Sequence, residues 1–310
     1  SALHKSLAPT RRLTPDPARS MPLVSLVDRL SALAPITLGK RKPIVPVVRL
    51  NGAIGVNIGF RQGLTLASVA PLLERAFSYP RAAAVALTIN SPGGSPVQSH
   101  LIHRRIRDLA TEKKLPVLAF TEDAAASGGY LIACAADEIF ADSSSIVGSI
   151  GVVSSGFGFH ELIARHGIER RLYTTGESKA ILDPFQPEKP EDVARLRSLQ
   201  ERVFGAFKDL VRDRRAGKLD ESQADELFSG AFWAGEDALS LGLIDGIGDL
   251  RGILRKRFGD KVRLRPVQAA RPGLLSQMMR PPPGAGGSLI DPHEALAVME
   301  ERALWSRLGL

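Results

Sequence analysis

Hydrophobic and polar positions along the chain alternate between short apolar runs and longer amphipathic stretches. The first apolar run, Pro46-Val47-Val48-Arg49-Leu50, stops at the turn signal Asn51-Gly52 and predicts a strand. From Leu66 to Phe77 the residues Val69, Leu72, Leu73 and Ala76 recur at helical spacing. Ala83 to Asn90 is nearly continuously apolar, the pattern of a strand covered on both faces, and it runs into Ser91-Pro92-Gly93-Gly94. A basic helix follows to about Lys113. The same order then returns, with a buried strand over Pro116 to Thr121, a glycine-rich corner at Ser127-Gly128-Gly129 and an alanine-rich helix from Tyr130 to Ala136. Short strands are expected at Glu138–Ala141, Ser149–Val153 and Glu169–Tyr173, with a helix near Glu161–His166 between the last two. A long charged helix is expected from about Glu191 to Arg215. Strands alternating with helices predict an α/β body with parallel pairing and right-handed crossovers.

Outside this body the pattern breaks down. Residues 1–44 are rich in Pro, Arg and Ser without a sustained period and predict a basic, partly disordered arm. The body occupies 45–265, and 266–310 holds a linker and a C-terminal helix. Pro281-Pro282-Pro283-Gly284-Ala285-Gly286-Gly287 is linker chemistry. Asp291-Pro292-His293-Glu294 reads as an N-cap, a proline at N1 and a capping acid. Leu296, Met299, Ala303 and Leu304 then form an apolar face able to dock on the body or on a neighbouring subunit.

Charge follows the same division. The chain of 310 residues carries a net +8, and the segment before Val45 holds eight basic residues against Asp16 and Asp28, a surplus of six. The basic character therefore describes the arm, which is expected to touch a membrane at most peripherally. No run of about 20 uncharged apolar residues occurs, so a soluble protein is expected, in the bacterial cytoplasm or peripheral to the inner membrane. A single cysteine, Cys134, excludes an intrachain disulfide and a thiolate metal site. Zinc-protease and nucleotide-binding motifs are absent, and no basic stretch is interleaved with aromatics as nucleic-acid binding requires.

Two glycine-rich corners follow buried strands, the position at which α/β folds place ligands. At the first, Gly93 and Gly94 allow close backbone approach and amides that point outward, as an oxyanion hole needs. Taken alone, Ser-Pro-Gly-Gly is a common turn. At the second, small neighbours leave the hydroxyl of Ser127 accessible at a strand-to-helix junction, although a serine there often only caps the helix. His100, His103, His160, His166 and His293 lie in charged contexts and read as solvated surface residues. A desolvated lysine can serve as base instead. Lys179 stands apart from the lysine clusters, in Thr175-Gly176-Glu177-Ser178-Lys179-Ala180-Ile181-Leu182, yet composition alone makes it a surface lysine.

Assembled in order, the segments resemble the signal peptide peptidase A (protease IV) family of the Clp-protease/crotonase-like superfamily. The resemblance rests on Ile89-Asn90-Ser91-Pro92-Gly93-Gly94, Ala125-Ala126-Ser127-Gly128-Gly129-Tyr130, Val147-Gly148-Ser149-Ile150-Gly151-Val152 and Gly176-Glu177-Ser178-Lys179-Ala180. It continues through Asp183-Pro184-Phe185, Trp233-Ala234-Gly235-Glu236-Asp237-Ala238-Leu239 and Gly242-Leu243-Ile244-Asp245, and so covers roughly Pro46 to Leu250. It implies an α/β fold of repeated β-β-α units and a serine endopeptidase. Ser127 is its nucleophile, Lys179 its general base and Ser149 the lysine's hydrogen-bond partner. Gly94, with Gly93 and Gly128, matches the oxyanion hole. The family pattern needs no cofactor and implies short, unfolded or signal-peptide-like substrates and a ring- or dome-shaped homo-oligomer. The membrane anchor that family members often carry is not evident here. A catalytically silent oligomeric scaffold and a crotonase-like acyl-CoA enzyme are the competing readings.

Overall fold

The computed structural model describes residues 42–56, 63–268 and 292–310. The expectations for the arm before residue 42, for the linker at 281–287 and for an N-cap at Asp291 lie outside these residues. Eight strands form one sheet: β1 (Ile44–Asn51), β2 (Val85–Ser91), β3 (Val117–Ala126), β4 (Glu138–Ala141), β5 (Ile146–Gly148), β6 (Phe232–Ala234), β7 (Gly246–Ile247) and β8 (Arg263–Pro266). The main path runs β6-β5-β3-β2-β1-β8, with β4 beside β3 and β7 beside β4. Every pairing is parallel except β5 with β6. The α/β fold class with a largely parallel sheet is as expected from the alternation of elements.

The helices are α1 (Leu66–Phe77), α2 (Pro96–Lys113), α3 (Gly128–Ala133), α4 (His160–Arg165), α5 (Pro190–Arg214), α6 (Ala224–Leu227), α7 (Gly235–Ser240), α8 (Leu250–Phe258) and α9 (Pro292–Ser306). Local chemistry explains the boundaries. The Thr65 hydroxyl accepts from the Ser68 amide, and the Ser68 hydroxyl accepts from the Thr65 amide, closing a capping box at α1. Ser95 caps α2 with Pro96 at its first turn, and Asp249 caps α8 through the amides of Arg251 and Gly252.

Strand periodicity sorts the core onto two faces. Val48, Leu50, Val85, Leu87, Ile89, Val117 and Ala119 point into the larger cluster, under α1, α2 and α3. Their alternating neighbours Val45, Val47, Ala84, Ala86, Leu118 and Phe120 join Phe140 and Leu254 on the opposite face, covered by α8. Being buried on both sides, these strands need no polar alternation.

Strand β3 is shared along its length. Leu118–Thr121 pairs with Glu138–Ala141 of β4, and Ala124–Ala126 pairs with Ile146–Gly148 of β5. Between these stretches its register against β2 slips, from Ile89 opposite Thr121 to Ser91 opposite Ala125. Asn90 bridges the irregularity: its side-chain amide donates to Asp123 at 2.6 Å, and its side-chain oxygen accepts from the Ala124 amide at 3.2 Å.

Two expectations fail locally. No strand forms at the expected Ser149–Val153; β5 lies just before it and ends where the backbone turns to positive φ at Gly148 (111°) and Ser149 (53°). Glu169–Tyr173 forms no strand; no neighbouring strand pairs with it, and Tyr173 is 91% exposed. Residues 152–188 form an excursion that leaves Phe157, Leu162 and Ile168 exposed and stacks Phe159 near Phe185 at 5.7 Å.

An ion cluster ties the end of α5 to the sheet. Buried Arg215 donates to the Gly242 carbonyl and, at 2.6 Å, to Asp245. Asp245 also accepts from Lys218 and from the Ile139 amide of β4. Burial opposes ionisation of Asp245, but the hydrogen bonds from Arg215, Lys218 and Ile139 outweigh it and hold the carboxyl below its ordinary range. Because the folded-state pKa is depressed, the stabilisation is present above the unfolded carboxylate's pKa and is lost as pH falls through the folded value. We expect Asp245→Ala to cost about 3–5 kcal/mol by stranding Arg215. In acid-unfolding titrations Asp245→Asn should show a shallower loss of stability with falling pH than the unaltered chain.

Candidate active site

The parallel sheet brings three loop starts to one edge: Ser91–Gly94 after β2, Ser127 after β3 and Ser149 after β5. All three line, through Gly94, Ser127 and Ser149, a single cleft of about 1030 Å³. This is the carboxyl edge at which an α/β sheet exposes ligand sites. Its walls include Val152, Phe204 of α5, and Phe228 and Phe232 near β6.

Ser127 stands at the junction of β3 and α3 with φ 52° and ψ −120°, a conformation that a side chain resists. Its amide donates to the Gly148 carbonyl at 2.8 Å, and its carbonyl receives the Leu131 amide, so neighbouring elements hold the turn on both sides. Its hydroxyl makes no cap hydrogen bond to α3. The helix-cap reading of this serine is therefore set aside, because its side chain bonds none of the amides that a cap would satisfy.

The Ser-Pro-Gly-Gly corner packs directly against this turn. A Cβ on Gly93 (φ 104°) would come within 2.8 Å of the Ser127 Cβ, and one on Gly94 (φ 140°) within 2.1 Å of the Ile54 carbonyl. Only glycine permits both the dihedrals and the approach. Ile54 donates to the Gly93 carbonyl and accepts from the Ser95 amide, each at 2.8 Å, in a parallel bridge to Gly94. In such a bridge the central residue's own amide points away from its partner. The Gly94 N–H thus faces away from Ile54, and Gly94 lines the cleft with Ser127.

Gly93 departs from its expected part, because its amide is already committed to the hydroxyl of buried Ser91 at 3.2 Å. It shapes the corner instead of offering a donor. Gly128 begins α3, where the first amides have no intrahelical acceptor, and it is packed beneath Gly93. Ser149 also has positive φ and is fixed by its amide, which donates to the Ala231 carbonyl at 2.7 Å.

Lys179 is not among the residues lining the cleft. It lies exposed on a 3-10 turn, Glu177–Ala180, within the 152–188 excursion, and its backbone amide bonds Gly176. The cleft also holds Arg197, Gln200 and Glu201 of α5, which sequence reasoning did not single out, and Ala303 and Leu304 of α9, which it read only as a docking face. Their helices are legible in sequence, but the side of the sheet on which each packs is not.

Among the described residues no histidine lines the cleft. His103, expected to be solvated, is largely buried on α2, and its Nε2 has no hydrogen-bond partner. Burial, followed by the charge of Arg214, pulls its pKa down to about 4 and keeps it neutral. The Cys134 thiol is buried and pushed up to about 12, chiefly by desolvation, so it is unreactive. Among the described residues no group of three or more His, Cys, Asp or Glu is placed to hold a metal, and no helix is long and apolar enough to cross a membrane.

A model of peptidase family S49 matches residues 110–259, a span containing Ser127, Ser149 and Lys179. A putative protease of Synechocystis is 32% identical over 195 residues, covering 61% of this chain and 69% of that protein. The chain belongs to peptidase family S49. A protein of Brucella abortus named Na(+)/H(+) antiporter NhaA is 54% identical over 275 residues, which is 86% of this S49 chain but 37% of the Brucella protein. Among solved structures, the 1510-N membrane-bound stomatin-specific protease is similar at a TM-score of 0.46 and 17% identity, covering 77% of this chain and 96% of that one.

The strain at Ser127 has a measurable consequence for this S49 chain. Glycine accepts positive φ without penalty, so Ser127→Gly should be more stable than Ser127→Ala by about 1–2 kcal/mol in denaturant unfolding. Equal stability of the two variants would show that the turn is unstrained.

Proposed function

We propose that this S49 chain is a serine endopeptidase in which Ser127 is the nucleophile and Lys179 the general base. The observation that carries the reading is Ser127 itself: uncapped, strained and lining the same cleft as Gly94. A strained strand-to-helix turn presents a hydroxyl to an incoming carbonyl, and adjacent amides stabilise the charge that develops on its oxygen.

In the proposed reaction the Ser127 Oγ attacks a peptide carbonyl while Lys179 takes its proton. The Gly94 and Gly128 amides hold the oxyanion, the peptide nitrogen leaves with a proton from Lys179, and water then releases the acyl group from Ser127. Ser149 at the cleft orients the lysine. The aromatic and aliphatic walls favour short or unfolded, signal-peptide-like chains with small or apolar side chains at the cleaved position.

Lys179 has to reach this cleft, and we infer that a second copy supplies it within a homo-oligomer. The excursion bearing it leaves Phe157 80%, Ile168 59% and Tyr173 91% exposed, a concentration of apolar surface suited to burial against another subunit. Burial there would also enclose Lys179, as a lysine base requires.

The test is hydrolysis of apolar fluorogenic peptides. Ser127→Ala and Lys179→Ala should each lower kcat/KM by about 10³-fold or more. If the two residues meet across a head-to-tail interface, assembling the variants in equal amounts should restore about a quarter of the unaltered activity. No recovery would confine the pair to one subunit. Full activity in either single variant would remove the mechanism. Intact assemblies that neither hydrolyse peptides nor react at Ser127 with an acylating probe would support the scaffold reading.

A further inference from the structure

The second face of the sheet is covered by α8 along most of its length, but α8 stops short of the carboxyl edge. There the outward-facing Ala124 and Ala126, the last residues of that parity before Ser127, are covered by Leu308, with Ile146 and Trp305 packed around them. Leu308 is 7% exposed, although it is the third residue from the end of the sequence. The same segment supplies Ala303, Leu304, Arg307 and Leu308 to the lining of the cleft that holds Ser127.

The docking face overlaps the one expected from sequence: Ala303 and Leu304 line the cleft, whereas Met299 is 68% exposed and Trp305 and Leu308 extend the contact. At helical spacing this row continues back to Glu301, whose carboxylate lies near Gly52 at the end of β1. The segment therefore crosses the edge at which the substrate loops gather. It is locally well formed: Gly309 at φ 76° ends it, its amide reaching the Ser306 carbonyl and that of Leu310 the Trp305 carbonyl.

Among the described residues its exposed side chains outnumber its buried ones. Arg307 makes a 3.5 Å contact to the Ser155 hydroxyl, and Ala303, Arg307 and Val298 are exposed. Leu308 is the buried side chain among those described, seated on Ala124 and Ala126 beside half-buried Trp305, and a peptide side chain of the same size would compete for the same seat.

Resting on the peptidase reading above, we propose that the C-terminal segment is an autoinhibitory strap. Leu308 occupies an apolar seat beside Ser127, and an entering peptide must displace it. Cleavage therefore draws on the fraction of molecules in which the strap has lifted, and weakening the anchor raises that fraction.

The experiment uses the full-length chain carrying Leu308→Asp, Leu304→Asp or the conservative Leu308→Met. On apolar fluorogenic peptides both aspartate variants should raise kcat/KM about tenfold, mainly through a lower KM, whereas Leu308→Met should stay near the unaltered rate. A labelled synthetic peptide of residues 292–310 should bind the Leu308→Asp chain saturably in fluorescence anisotropy and inhibit it competitively. The same peptide carrying Leu308→Asp should do neither. Unchanged or reduced kcat/KM in both aspartate variants, with melting and assembly preserved, would make the segment a fixed wall of the cleft and overturn the strap. Should no form of the chain cleave any peptide, the peptidase reading fails separately and anisotropy alone decides. Saturable, Leu308-dependent binding then upholds the strap, and its absence overturns it.

Discussion

The structure depends on how strand β3 is pinned as it reaches Ser127. Over ten residues β3 is paired first with β4 and then with β5 on one side, while its register against β2 slips on the other. A strand bound this way has little freedom at its end, which is what a strained residue requires. The Ser127 amide is fixed by Gly148, and Gly93 packs against its Cβ. Cost at one residue is thus offset by pairing distributed across the sheet. The chemistry available at the carboxyl edge follows from that arrangement, because a relaxed turn would direct the hydroxyl back to cap α3.

The same geometry explains the small residues around the site. Ala124, Ala125 and Ala126 are completely buried, with the outer two on one face and the middle one on the other. Larger side chains would push apart the elements that converge there: α3 beneath, β2 alongside and the C-terminal segment above. Asn90 has a complementary task, satisfying backbone and side-chain groups left open where the register slips. Polar and apolar residues thus serve one purpose, a rigid edge from which three loops depart.

Much of this was legible in the sequence because the signals were local. The apolar run before Asn90 and the helical period from Leu66 to Phe77 depend on neighbours a few positions away, and the structure reproduces the latter span unchanged. Ser127 and Gly94 were legible as corners after buried strands. What remained hidden was set by distant partners. The end of β5 is dictated by the positive φ of Gly148 and Ser149 and the bond from Ser149 to Ala231, more than 80 positions later. Glu169–Tyr173 ends in the strand-favouring pair Leu172-Tyr173 but gains no neighbour, and propensity without pairing makes no strand. In the final helix the apolar residues allow more than one face, and Ala124 and Ala126 select the one containing Leu308.

Placing the proposed nucleophile on the rigid sheet edge and the proposed base on an exposed excursion has a physical consequence. Under the proposed reading the base reaches the cleft only through subunit contact. Assembly would then control whether the two groups meet. Under that reading a separated subunit would carry a well-formed Ser127 turn and yet be inert. The strap would act at a different level, limiting entry to a completed site, so the two controls would work in series: one on the meeting of the two groups and one on the occupancy of the cleft.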